Sequence, residues 1–141
     1  MSSIEDFYKA AKEGYIDSVR AFLYSNVHVD WADTNGRTAL IIAARQGHVD
    51  IVKLLIEAKA NLDIADRESP SAGMSGNTAL MWAAKNNHAD IIKLLIEAGA
   101  DLDKGDNTGS TALGWAVHDN YTDVVKLLKA AEAKEYCRFS K

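Results

Sequence analysis

Around residues 50 to 57 the apolar side chains fall at i, i+3 and i+4. Val52, Leu55 and Ile56 share one face, while Lys53 and Glu57 share the other. That spacing predicts an amphipathic helix with one buried stripe. It starts near Asp50, and comparable stretches start near Asp90 and Asp123, each putting a carboxylate beside the positive end of a helix dipole. Ahead of each lies a short apolar stretch, TALIIAA, TALMWAA and TALGWAV. Its threonine (Thr38, Thr78 or Thr111) is placed to cap a helix, the hydroxyl accepting from the first free backbone N–H groups. The small residues that follow, Ala43-Ala44, Ala83-Ala84 and Ala116-Val117, allow helices to pack closely. The expectation is a pair of helices per stretch, an inner one of small residues and an outer amphipathic one.

The pattern is a repeat. Residues 35–66 align with 75–106 at an offset of 40, with 19 identities in 32 positions. From 75–106 onward the offset is 33, so Thr78-Ala79-Leu80 becomes Thr111-Ala112-Leu113. Backward from 35–66 it is again 33, which lays Gly14 under Gly47 and Asp30 under Asp63. The period is therefore 33 residues, broken once by seven extra residues between Asp66 and Gly76, in the stretch DRESPSAGMSG. Units of this size cannot bury their apolar faces alone and must stack. The units run over about 1–33, 34–66, 67–106 (with the insertion within 67–75) and 107–141, as one domain.

TALIIA, TALMWA and TALGWA, with Gly47-His48 between helices, resemble the T-P-L-H-x-A signature and Gly-His link of ankyrin repeats. The resemblance covers about residues 4–130 in four units, the first and last acting as caps. It implies an all-α solenoid of paired antiparallel helices with β-turn fingers. Ala39, Ala79 and Ala112 stand where the family prefers Pro, and Ile41, Met81 and Gly114 where it prefers His. Because that His braces the turn, the bracing here is expected to be weaker or replaced by apolar packing. Lys59 occupies the place of the helix-ending Gly99 and is expected at positive φ. Asn87 and Asn120 replace a Gly with less strain. His48 and His88 are expected to brace the inter-helix turns.

Charge and chemistry narrow the functions. The net charge is -4 and no two basic residues are adjacent, so nucleic acid has no electrostatic footprint here. The longest apolar runs, such as 39–44, are far short of the roughly 20 residues a membrane helix needs. MSSIEDFYK has no basic-then-apolar leader, and the one cysteine, Cys137, suits a reducing compartment. The expectation is a soluble cytoplasmic protein. No two of the four histidines lie within four residues, so no helix-face metal site is expected. The run from Asp101 to Asp106 resembles the start of a calcium loop, but Ala112 stands where the closing Glu would be. Its acids recur as Asp30/Asp33 and Asp63/Asp66, which is repeat architecture. Neither catalysis nor a cofactor is expected. Two alternatives are a redox role for Cys137, beside Arg138, and end-to-end self-association. Tyr136 and Phe139 are expected to cover the last unit.

A protein partner is what the resemblance implies, met through the concave face of fingers and inner helices. Carried over by residue, the first finger offers Trp31, Thr34, Asn35 and Arg37. The second offers the insertion (Ser69, Pro70, Met74) and Asn77, and the third Lys104, Asn107, Thr108 and Ser110. On the inner helices Lys12, Arg45, Lys85 and His118 form one column, and Glu13, Gln46, Asn86 and Asp119 the next. The first column is basic in every unit, which suits an extended acidic segment of a partner. Trp82 and Trp115 read as packing between units, and Trp31 as the better anchor. The expected species is a monomer.

Overall fold

The computed structural model describes residues 3–67 and 75–139, with side chains over 4–67 and 75–134. The expectations for Ser69, Pro70, Met74 and the side chains of Tyr136, Cys137 and Phe139 lie outside the described residues. Among the described residues eight helices make four antiparallel pairs: α1 (Ser3–Glu13) with α2 (Ile16–Tyr24), α3 (Ala39–Gln46) with α4 (Val49–Glu57), α5 (Ala79–Lys85) with α6 (Ala89–Glu97), and α7 (Ala112–His118) with α8 (Thr122–Phe139). The fold is the all-α stack that the periodicity predicts.

The three threonines start the inner helices. Thr38, Thr78 and Thr111 have extended backbones, and their hydroxyls accept from the N–H groups of Ile41, Met81 and Gly114 at 3.2, 3.3 and 3.2 Å. The helices α1, α3, α5 and α7 pack side by side through Ala11, Ala43, Ala44, Ala83, Ala84 and Ala116, all fully buried. The outer helices contribute Val19, Ile51, Val52, Leu55, Ile91, Ile92, Leu95 and Val124 to the same core. Contacts within the inner row are more extensive than those among α2, α4 and α6. Small side chains explain the difference, since they let the inner backbones approach. Ile41 and Met81, at the family's His position, are buried in the core as apolar packing residues.

Histidine ties one pair to the next. His48 Nε2 lies 3.0 Å from the Lys12 carbonyl, and His88 Nε2 lies 3.2 Å from the Arg45 carbonyl. Each ring thus donates to the C-terminal turn of the preceding inner helix, so the expected bracing runs across pairs and not within the histidine's own turn, where neither side chain caps the helix. Gly14 and Gly47, both at positive φ, sit beneath these rings, and a Cβ would come within 2.9 and 2.8 Å of them. In the last unit Tyr121 stands at the place of His48 and His88, and the left-handed residue before it is Asn120, at φ 59°. Carboxylates add a second tie on the outer side of the turns. Asp30 Oδ1 accepts from Asn61 N, and Asp63 Oδ1 from Asp101 N, both at 2.8 Å. This gives the recurring acids a structural use. The last outer helix runs on to Phe139, twice the length of the others, as expected from Glu132 standing where a helix-ending Gly would be.

Two stability predictions follow from backbone geometry. Lys59 lies at φ 67°, where its counterpart Gly99 lies at φ 93°. Lys59→Gly should therefore raise stability by about 0.5–1 kcal/mol, read as a higher midpoint in thermal or urea unfolding. Gly114 is inside α7, and a Cβ there would meet only Thr111 Oγ1 at 3.7 Å. Gly114→Ala should stabilise by about 0.5–1 kcal/mol in the same experiment through helix propensity alone.

Candidate functional site

The concave face is built on three finger aspartates, Asp33, Asp66 and Asp106. Each opens a tight turn whose closing bond runs from a glycine N–H to the aspartate carbonyl: Gly36 to Asp33 at 2.9 Å, Gly76 to Asp66 at 3.0 Å and Gly109 to Asp106 at 2.9 Å. The turn around Asp66 closes like the others although seven more residues separate its ends. Its flanks are held too. Arg67 N donates to Asn35 O of the preceding finger at 2.7 Å, and Ser75 O accepts from Asn107 N of the following finger at 2.9 Å. The seven additional residues are thus 68–74.

The aspartate carboxylates turn inward and are satisfied by their own loops. Asp33 Oδ1 accepts from the N–H groups of Asn35 and Arg37 at 2.8 and 2.9 Å. Asp106 Oδ1 accepts from the N–H groups of Thr108 and Ser110 at 2.9 and 3.0 Å and from the Thr108 hydroxyl at 2.6 Å. Asp66 Oδ1 accepts from Asn77 N at 2.8 Å. The second oxygen of Asp66 and of Asp106 takes an indole: Trp82 Nε1 lies 2.8 Å from Asp66 Oδ2, and Trp115 Nε1 lies 2.9 Å from Asp106 Oδ2. The third unit-equivalent of these tryptophans is Ile42, which has no donor and is buried. Asp33 is served instead by the hydroxyl of Tyr8, reaching from α1. Burial, that hydrogen bond and the negative charge of Asp33 together push the Tyr8 phenol well above its ordinary pKa. In the second and third fingers the bracing donor thus stands one residue along from the missing family histidine, as an indole N–H, and in the first it is the Tyr8 hydroxyl.

The indoles have a second use. Arg45 Cζ sits 4.7 Å from the Trp82 ring centroid and Lys85 Nζ 4.9 Å from it. Lys85 Nζ is also 4.4 Å from the Trp115 centroid, and the His118 ring stands edge-on to Trp115 at 6.1 Å. Arg37 Cζ approaches the Trp82 ring at 5.6 Å. Cations and aromatic rings thus alternate across α3, α5 and α7, as Arg45, Trp82, Lys85, Trp115 and His118. Cation–π attraction of this kind holds long basic side chains in place. Lys85 is fixed further by donating to Asn77 Oδ1 at 2.7 Å.

The residues expected to form the face divide into three groups. Arg45, Lys85 and His118 are gathered in the ladder, with Gln46, Asn86 and Asp119 exposed beside them, Asn86 donating to the Trp82 carbonyl at 2.8 Å. Thr34, Asn107 and Thr108 are exposed at finger tips, while Asn35 and Ser110 are half-buried in the turn bonding described above. Asn77 departs from expectation: it is fully buried, its backbone N–H and carbonyl both bonded to Asp66 in closing the turn and its side-chain oxygen accepting from Lys85. Arg37 is also largely enclosed, its Nε 3.8 Å from Asp66 Oδ2 and its side chain 16% exposed. Trp31 is half-buried against Tyr8, ring centroids 5.9 Å apart, and so packs on α1 instead of projecting from its finger. Trp82 and Trp115, read from sequence as packing between units, are half-buried and organise the face. The signal for them was present as Trp82-x-x-Lys85 and Trp115-x-x-His118, since residues three apart meet on a helix.

Among the described residues no group of three His, Cys, Asp or Glu side chains is close enough to hold a metal ion, and no helix is long and apolar enough to cross a membrane. Stacked helix pairs, capped turns and a concave polar face define a repeat scaffold. A family model described as Ankyrin repeats (3 copies) matches residues 7–103 and again 64–138, so the chain belongs to the ankyrin-repeat family. Ankyrin repeats are in general protein-interaction modules, and the fold is a non-enzymatic one. No curated protein matches the sequence.

Burial opposes ionisation of Asp106, but hydrogen bonds from Thr108 and Trp115 side chains and from the Ser110 and Thr108 backbones outweigh it and hold the carboxyl below its ordinary pKa. A depressed folded-state value means stability that is present above the unfolded value of about 3.9 and lost as pH falls through the folded one. Asp106→Asn should therefore cost about 1–3 kcal/mol at neutral pH. The deficit should narrow when unfolding is measured at acid pH, below both values. A deficit that stays constant across this range would contradict the assignment.

Proposed function

We propose that this chain is a single, monomeric cytoplasmic domain of four ankyrin units that recognises a partner protein and carries out no catalysis. The contacting surface is the concave one, read through Arg45, Lys85 and His118 on the floor and through Thr34, Asn107 and Thr108 on the finger tips. The observation that carries this reading is the cation–aromatic ladder. In a chain of net charge -4, it concentrates basic groups on one face. Turn closure needs the aspartates and the indole N–H groups, but it does not need cations over the ring faces. The ladder suits a partner whose contacting surface is acidic, because complementary potential guides encounter and register. Stacking makes the scaffold stiff, so the fingers and floor are presented with little ordering cost on binding.

Charge reversal at two floor positions tests the proposal. Arg45→Glu combined with Lys85→Glu should abolish affinity capture of the partner from a lysate of the source cell, with far-UV circular dichroism unchanged. Capture that survives the double reversal would remove the floor as the contact surface. A parallel variant lacking residues 68–74 reports on the second finger: retained capture makes the insertion dispensable, and lost capture makes it part of the recognition surface.

A further inference from the structure

We propose that the floor takes an extended segment of another protein carrying a carboxylate at every third residue, with Arg45 as the principal reading residue. This rests on the concave face being the contact surface and goes beyond it by naming what lies there. The accessible faces of Trp82 and Trp115 are already approached by the chain's own Arg45 and Lys85, so the face is a poor cage for a foreign cation. Arg45 is held over the Trp82 ring and forms no ion pair with any described residue. Its guanidinium fork therefore keeps N–H donors for a planar anion such as a carboxylate. Lys85 presents a second cation on the next inner helix, fixed between two indoles. His118 is a third position, its Nδ1 3.0 Å from Asp119 Oδ1.

Spacing decides the conformation of the occupant. Packed helices lie about 8–10 Å apart. An extended chain in the polyproline II conformation advances about 3.1 Å per residue with three residues per turn, so residues three apart span one step of the floor and face the same side. A helical segment would advance only about 1.5 Å per residue and present its acids to the wrong steps. The side chains of Arg45 and Lys85 are held before binding, so less rotamer freedom is lost when a carboxylate docks.

The test uses the full chain and short fluorescein-labelled peptides of equal charge in a Gly/Ser/Thr background. One carries Glu at every third position, one carries the same number of Glu contiguously, and one carries Lys at every third position. A single-stranded oligothymidylate of matching charge is the fourth probe. In fluorescence anisotropy titrations the spaced Glu peptide should bind at least about fivefold tighter than the contiguous one, and added salt should weaken it. Neither the Lys peptide nor the oligothymidylate should compete. Arg45→Glu should weaken the spaced peptide about tenfold or more. The fold should tolerate that change, because the Arg45 group bonded by His88 is its carbonyl, not its side chain. Equal binding of both Glu peptides, equal binding of the oligothymidylate, or an unchanged affinity for Arg45→Glu would each overturn the proposal. So would failure of every peptide to bind. In that case, loss of lysate capture by the Arg45→Glu, Lys85→Glu pair would still leave the concave face as the contact surface. The two readings can therefore fail separately.

Discussion

A hydrogen-bonded carboxylate at the base of each finger, buried in the second and third, is the constraint on which the concave face depends. Asp66 and Asp106 are almost wholly enclosed. A buried charge is costly unless hydrogen bonds satisfy it. The loop supplies one set of donors, from Asn77 at Asp66 and from Thr108 and Ser110 at Asp106. The helix supplies the other through an indole N–H. Satisfying the aspartate therefore fixes both the loop and the tryptophan. The ring is then oriented with its face toward the next basic side chain. One electrostatic requirement sets the finger, the helix and the cation–aromatic floor together.

The first finger shows that the requirement is general and the donor is not. With Ile42 at the indole's place, a donor must come from elsewhere, and Tyr8 on the neighbouring inner helix provides it. The consequence is local. Near Asp33 the ring of Tyr8 is taken up by Trp31, so the first finger is backed by aromatic packing, while the cation–aromatic contacts lie in the central and C-terminal units. The molecule is thus polar along its stack even though its repeats are alike.

Periodicity made the fold legible. A 33-residue spacing, three TAL motifs and alternating helix stripes each follow from backbone geometry and burial, which act locally and leave regular marks. The positive φ of Lys59, Asn87 and Asn120 was readable for the same reason, because a repeated Gly identifies the place. The face was harder. Asn77 looked like a finger-tip residue because loop residues are mostly exposed, yet its amide is consumed in closing the turn. Trp82 and Trp115 looked like packing residues because large rings are usually buried. Their hydrogen bonds join residues 16 and 9 positions apart, a pairing that helix periodicity does not mark. Trp31 looked exposed because its neighbour Tyr8 lies 23 positions away in sequence.

The splice at residues 67 and 75 has a meaning beyond this chain's own recognition. The turn is closed by Gly76 on Asp66, and the two flanking residues are pinned to the fingers on either side. The turn is therefore closed by residues on either side of the segment between. The entropy of loop closure at such a point grows only slowly with length. The second finger is thus a place where the length of the chain can change while the closing bonds stay the same.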